Sequence, residues 1–120
     1  MTDLRRARHL TLAVLVAACT STAPQQQRSD AELAALAPLK HRYAGLVMGL
    51  DIRPQTTLVV SLDLQSYIET DDDTIAAMKR DALARWRAVW IGEHPREHAT
   101  VRVRFIDFIG RTVAAETAHV

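Results

Sequence analysis

The stretch between Thr70 and Pro95 reads as a long amphipathic helix, and the rest of the chain has to be arranged around it. Ile75, Met78, Ala82, Trp86 and Val89 recur at helical spacing, and Leu83 and Trp90 widen the stripe. Lys79, Arg80, Arg85 and Arg87 occupy much of the remaining circumference. Thr70 is a capping residue, and Asp71, Asp72 and Asp73 set three carboxylates at the positive end of the helix dipole. Pro95 cannot continue a helix and ends it.

On either side of this helix the pattern changes to period two. Leu46, Met48, Leu50 and Ile52 alternate with Val47, Gly49 and Asp51, and Leu58, Val60, Leu62 and Leu64 alternate with Val59, Ser61, Asp63 and Gln65. Such alternation marks strands with one buried face. Arg53-Pro54-Gln55-Thr56 between them is turn chemistry. With residues 53 to 57 as the loop, Ile52 faces Leu58, Leu50 faces Val60 and Met48 faces Leu62, and a loop one residue shorter pairs buried with exposed positions. A competing reading carries a helix from Tyr43 to Leu50, but Gly45 and Gly49 make that costly.

After the helix, Val101, Val103 and Phe105 alternate with Arg102 and Arg104. A three-residue loop of Phe108, Ile109 and Gly110 then sets Phe105 opposite Val113, with Ala115 and Thr117 on the same face and the glycine where a positive φ is wanted. Ahead of all this, Ser29-Asp30-Ala31-Glu32 has the spacing of a capping box, with Leu33, Leu36 and Leu39 as the stripe of a short helix that Pro38 kinks or ends. The expected fold class is therefore α+β: a short N-terminal helix, then ββαββ, with a four-stranded antiparallel sheet and the long helix packed across one face.

The N-terminal segment is of another kind. Arg5, Arg6 and Arg8 precede Leu10 to Ala18, a run of apolar and small residues broken only by Thr11. That run has about half the length a bilayer-spanning helix needs, and a charged start followed by a short apolar stretch is the form of a secretory signal. Its end, Val16-Ala17-Ala18-Cys19, resembles the lipobox of bacterial lipoproteins: a branched aliphatic residue, two small residues and a cysteine. The resemblance covers residues 1 to 19 only. It implies a signal peptide over residues 1 to 18, cleavage before Cys19, a diacylglyceryl thioether on Cys19 and usually acylation of the new amino group. Two or three acyl chains make a durable membrane anchor where one does not. Thr20 after the cysteine lacks the aspartate that marks inner-membrane retention in enteric lipoproteins, so the resemblance points to the outer membrane, facing the periplasm. The arginine pair alone is a weak match to a twin-arginine signal.

Thr20 to Arg28, rich in Ser, Thr, Pro and Gln, reads as a flexible tether, so residues 19 to 28 form an acylated cysteine with its tether and residues 29 to 120 a single domain. Cys19 is the only cysteine in the chain, and the domain must be held by packing without an internal disulfide. Without residues 1 to 18 the chain has 12 basic against 13 acidic side chains. A near-neutral body has no general electrostatic reason to bind nucleic acid.

Chemistry-bearing constellations are few. Glu93, His94, Glu97 and His98 cluster, but Pro95 between the histidines prevents the one-turn helical geometry that holds zinc, and no metal site is expected. Asp71 to Asp73 lack the glycine and distal glutamate of a calcium loop. Ser21, Ser29, Ser61 and Ser66 lie outside any Gly-x-Ser-x-Gly setting. No enzyme and no cofactor are expected. Trp86 reads as core, Trp90 near the helix end as a candidate anchor, and Arg102 and Arg104 as the outer face of the sheet near Asp63 and Gln65; Trp90, Arg102 and Arg104 are the candidate partner-binding residues. The expected function is a non-enzymatic, membrane-anchored module that binds an envelope protein or supports an assembly. The alternative is an envelope inhibitor or a lipoprotein that binds a small ligand.

Overall fold

The long helix starts at Asp71. In the computed structural model, which describes residues 23–120 with side chains from residue 26, Asp71 is extended and its carboxylate accepts from the Thr74 N–H at 3.0 Å and the Thr74 hydroxyl at 2.7 Å. The cap is thus one residue later than Thr70, whose N–H instead closes the preceding turn on the Ser66 carbonyl. We number the helices α1 (Ala23–Arg42), α2 (Leu64–Glu69) and α3 (Asp72–Glu93), and the strands β1 (Val47–Ile52), β2 (Thr57–Leu62), β3 (Thr100–Ile106) and β4 (Thr112–His119). The fold class is α+β. Residues 1 to 18, Cys19 and the first part of the expected tether lie outside the described residues.

The sheet has the order β1-β2-β3-β4 and is mixed rather than antiparallel throughout. β1 and β2 are antiparallel, β3 and β4 are antiparallel, but β2 and β3 run parallel, with Val60 beside Phe105 and Leu58 beside Val103. The cause is the crossover. Between β2 and β3 the 22 residues of α3 span about 33 Å at 1.5 Å per residue. That is enough to return the chain to the end of the sheet at which β2 began, and β3 then enters in the same direction as β2.

Two registers depart from the expected ones. In β1, Leu50 faces Val60 and Ile52 faces Leu58 as the alternation predicts, but an irregularity between Val47 and Gly49 sets Val47 opposite Leu62. Met48 is bulged out at 56% exposure while Val47 is buried at 1%. In β4, Phe105 faces Ala114 instead of Val113, and Val113 is left over between the pairs Phe105–Ala114 and Ile106–Thr112. The inward positions are therefore Ala114, Glu116 and Ala118, the opposite set to Val113, Ala115 and Thr117. The reason is the turn: Asp107 N–H donates to the Arg111 carbonyl and Gly110 N–H to the Asp107 carbonyl, so the connection closes on Asp107–Arg111. A one-residue change of register exchanges the two faces of a strand. Gly110 does take the positive φ expected of it, +93°.

The alternation over residues 58 to 64 also ends early. Strand β2 stops at Leu62, Asp63 caps α2, and Leu64 and Gln65 are helical. At the N-terminal side, α1 begins at Ala23, within the expected tether, and continues through Pro38 to Arg42. Ser29 is therefore interior to the helix and does not cap it. Leu36 and Leu39, both fully buried, flank Pro38 and hold the helix on the core across the hydrogen bond that proline removes. Helix α1 does not extend to Leu50: Gly45 at φ +86° turns the chain, and the Leu46 and Val47 N–H groups both donate to the Tyr43 carbonyl.

One apolar cluster joins the elements from Ala31 to Val120, which form a compact unit of their own. It contains Leu36, Leu39, Leu46, Val47, Leu58, Val60, Leu62, Ile75, Met78, Ala82, Trp86, Trp90, Val101, Val103 and Phe105. Trp86 is fully buried and its indole N–H donates to the Thr56 carbonyl at 3.1 Å, which ties α3 to the β1–β2 loop. On the opposite face of the sheet only Val59, in a strand with neighbours on both sides, is a buried hydrophobe.

Candidate docking surfaces

The three most exposed large hydrophobes among the described residues, Phe108, Ile68 and Ile109, lie at one end of the sheet, on α2 and the β3–β4 turn. Asp63 builds one side. Its carboxylate accepts from the Ser66 N–H at 3.0 Å and the Ser66 hydroxyl at 2.6 Å, which starts a helix only six residues long in which no residue is buried. Ile68 consequently points outward at 73% exposure. Asp107 builds the other side. Itself buried, it accepts from the backbone N–H groups of Ile109 and Arg111 at 3.0 and 2.9 Å and from Arg111 Nε at 2.8 Å, and so fixes a turn whose tip is Phe108 and Ile109. These two are 84% and 62% exposed. Phe108 and Ile68 line one shallow groove of about 420 Å3 together with Asp63, Leu64, Gln65 and Glu69. The hydrogen bonds from Ser66 hold the Asp63 carboxyl below its ordinary range, and those from the Arg111 backbone, followed by its side chain, do the same for Asp107 despite burial. Both remain anionic at neutral pH.

The residues expected to bind a partner are divided between two places. Arg102 and Arg104 do share the outer face of the sheet, opposite Thr117 and Ala115 of β4. Arg102 is exposed; Arg104 is half-buried beside Val59, and its Nε has no hydrogen-bond partner among the described residues. Asp63 and Gln65 do not join them, being drawn into α2 and its cap. Trp90 is on the other side of the sheet, at 3% exposure, within the core.

Trp90 has a different neighbour. His94, the C-cap of α3, stacks on its indole and lies beside a hollow of about 370 Å3 lined also by Gln55, Thr56, Glu97, His98 and Ala99. Since a carbonyl only accepts, His94 Nδ1 carries a proton and donates to the Trp90 carbonyl at 2.9 Å, leaving Nε2 at 3.8 Å from Glu97 Oε2. His98 turns its Nδ1 to the Val120 carbonyl at 3.2 Å. The two imidazoles are thus engaged with separate carbonyls, and among the described residues no group of three metal-ligating side chains converges.

The sequence carried a signal for the missed groove. Two bulky apolar residues at a hairpin tip, Phe108-Ile109, have no core to enter, and Asp63-x-x-Ser66 is a helix start written into what reads as strand. No protein-family model matches the chain, and no curated protein or solved structure matches it either. No described helix is long and apolar enough to cross a membrane.

Proposed function

We propose that this chain is an exported lipoprotein, cut before Cys19 and held on the cell-envelope membrane by acyl chains there, whose body is a non-enzymatic module that docks a protein partner. The lipid anchor rests on the likeness of Val16-Ala17-Ala18-Cys19 to a lipobox. The docking role rests on one observation: Ile68 and Phe108 share an exposed apolar groove, and these two with Ile109, next to Phe108 in the chain, are the most exposed large hydrophobes among the described residues. Exposed apolar ground rimmed by polar residues marks interaction sites. The rim carries the carboxylates of Asp63 and Glu69, so the partner surface that fits presents apolar side chains flanked by Lys or Arg.

A photo-crosslinking residue at position 108, compared in living cells with one at position 102, tests this reading. A discrete adduct from 108 that disappears on Ile68→Asp supports it. Capture from 102 alone moves the docking site to the arginine face, and no adduct from either position removes the docking role. A second reading, recognition of a small ligand, is favoured by the hollow at His94, whose volume falls in the range of ligand pockets. Quenching of Trp90 fluorescence by a cell-envelope extract passed through a small-molecule filter would bring it forward.

A further inference from the structure

The two edges of the sheet are unequal. β1 is six residues long, is bulged at Met48 and carries the Asp51–Arg53 ion pair at its end. These are the devices that blunt an edge against further pairing. β4 is eight residues long, runs without irregularity from Ala114 to His119, and contains no Pro, Lys, Arg or Asp; its one acid, Glu116, points inward and is the only such edge-blunting feature it carries over that stretch. No other described strand lies beyond it.

The hydrogen-bond phase of β4 follows from two bonds. Val120 N–H donates to the Ala99 carbonyl at 2.9 Å, and Arg102 N–H points away from β4, to the Thr56 carbonyl at 3.0 Å. Antiparallel pairs alternate between bonded and non-bonded. Val101–Ala118, Val103–Glu116 and Phe105–Ala114 are therefore the bonded pairs, and Ala115, Thr117 and His119 direct their N–H and C=O groups to the open edge.

The ground above that edge suits a second copy. Between α3 and β4 runs a groove of about 440 Å3 lined by Asp72, Ala76, Lys79, Arg80, Leu83 and Glu116. It holds two acids and two bases, and the inward residues of β4 on either side of Glu116 are alanines. A two-fold interface requires a patch that complements itself, and mixed charge on one groove meets that requirement where charge of one sign does not.

We propose that the protein forms a two-fold dimer by antiparallel pairing of β4 with β4, giving a continuous eight-stranded sheet. The register is constrained. Outward-facing residues must pair with one another, which allows dyads at Ala115, Glu116, Thr117 or Ala118, the last aligning only Thr117 to His119 at the end of the strand. A dyad at Glu116 sets two carboxylates face to face, which is unfavourable. One at Ala115 brings the bulged Val113 into the ladder. A dyad at Thr117 pairs Thr117 with its own copy, Ala115 with His119 and Glu116 with Ala118, and is the longer of the two registers that remain. The dimer does not depend on the docking reading above, since the groove at Phe108 and the edge of β4 are separate surfaces.

Sedimentation velocity on the full chain in density-matched detergent tests the proposal. The wild-type protein is expected to be a dimer. Thr117→Pro removes an outward donor and no β3–β4 bond, and Thr117→Lys sets like charges at the dyad while keeping the backbone intact. Each is expected to raise the dimer dissociation constant by about tenfold or more with an unchanged circular dichroism spectrum. The lysine variant preserves the test if the proline variant does not fold. A wild-type monomer up to high micromolar concentration, or a dimer unaffected by a folded Thr117 variant, overturns the proposal.

Discussion

Trp90 and His94 lie face to face over the last turn of α3, their ring centroids 4.4 Å apart and their planes 12° from parallel. The stack closes the helix, because the same imidazole donates back to the Trp90 carbonyl. Four residues earlier on the same stripe, Trp86 is held differently, by its indole N–H bond to Thr56, whereas Trp90 Nε1 is buried with no hydrogen-bond partner among the described residues. Trp86→Phe removes the indole donor from the Thr56 carbonyl, which keeps only the Arg102 N–H, and leaves a gap in the core, and should cost about 2 kcal/mol. Trp90→Phe removes an unpartnered donor and keeps an aromatic face for His94, and should cost under about 1 kcal/mol. Urea unfolding of the two variants compares them directly.

Asp107 organises the β3–β4 turn alone, with two backbone N–H groups and the Arg111 side chain converging on one carboxylate. Asp107→Ala removes the acceptor of both backbone N–H groups as well as of Arg111 Nε, and it should lower the thermal midpoint more than Arg111→Ala, which removes an exposed side chain and leaves the acceptor of both backbone bonds unchanged. Equal losses would assign the turn to the ion pair rather than to the backbone bonds.

Asp63, Asp71 and Asp107 each titrate below the ordinary aspartate value of 3.8, owing to hydrogen bonds with Ser66, Thr74 and Arg111. A carboxyl whose pKa is lowered by folding stabilises the folded state above its unfolded pKa, and that contribution is lost as pH falls through the folded value. Thermal midpoints should therefore hold from neutrality to about pH 5 and drop as the pH passes below 3.8, with a shallower acid limb in Asp71→Asn. An unchanged acid limb in that variant would show that the Asp71 cap contributes nothing.

The bulge in β1 reverses what alternation alone assigns to two neighbours. Val47→Asp places a charge where the side chain is 1% exposed and should cost about 3 kcal/mol or more. Met48→Lys, at 56% exposure, should stay within about 0.5 kcal/mol. Chemical denaturation of both variants distinguishes this register from the unbulged one, in which the order is inverted.

Long-range periodicity was the most legible property of this chain. The stripe from Ile75 to Trp90 spans most of α3 and places Met78, Ala82 and Trp86 in the core as read. The loop from Arg53 to Thr57 was equally readable, because Leu50–Val60 and Ile52–Leu58 agree on it. Strand neighbours were not readable in this way: nothing local in the alternation from Leu58 to Leu62, or in that from Val101 to Phe105, says that β2 and β3 run side by side and parallel. The face of β4 was lost to a single residue of turn length, set by hydrogen bonds to Asp107 that alternation does not contain. The candidate site divided likewise. Arg102 and Arg104 lie together where the alternation of β3 puts them, and Trp90 followed its helical stripe into the core. Phe108 and Ile109, read only as a loop, stand exposed at the tip of the turn because Asp107 holds the backbone there.

The proposal of an anchored module stands on the chemical state of Cys19, and mass spectrometry of the protein extracted from the cells that make it reads that state directly. The account predicts an N-terminal peptide beginning at Cys19 with a diacylglyceryl thioether on its sulfur, and release of the chain from the membrane fraction on Cys19→Ser. A peptide carrying residues 1 to 18 intact with an unmodified thiol at Cys19 would contradict it.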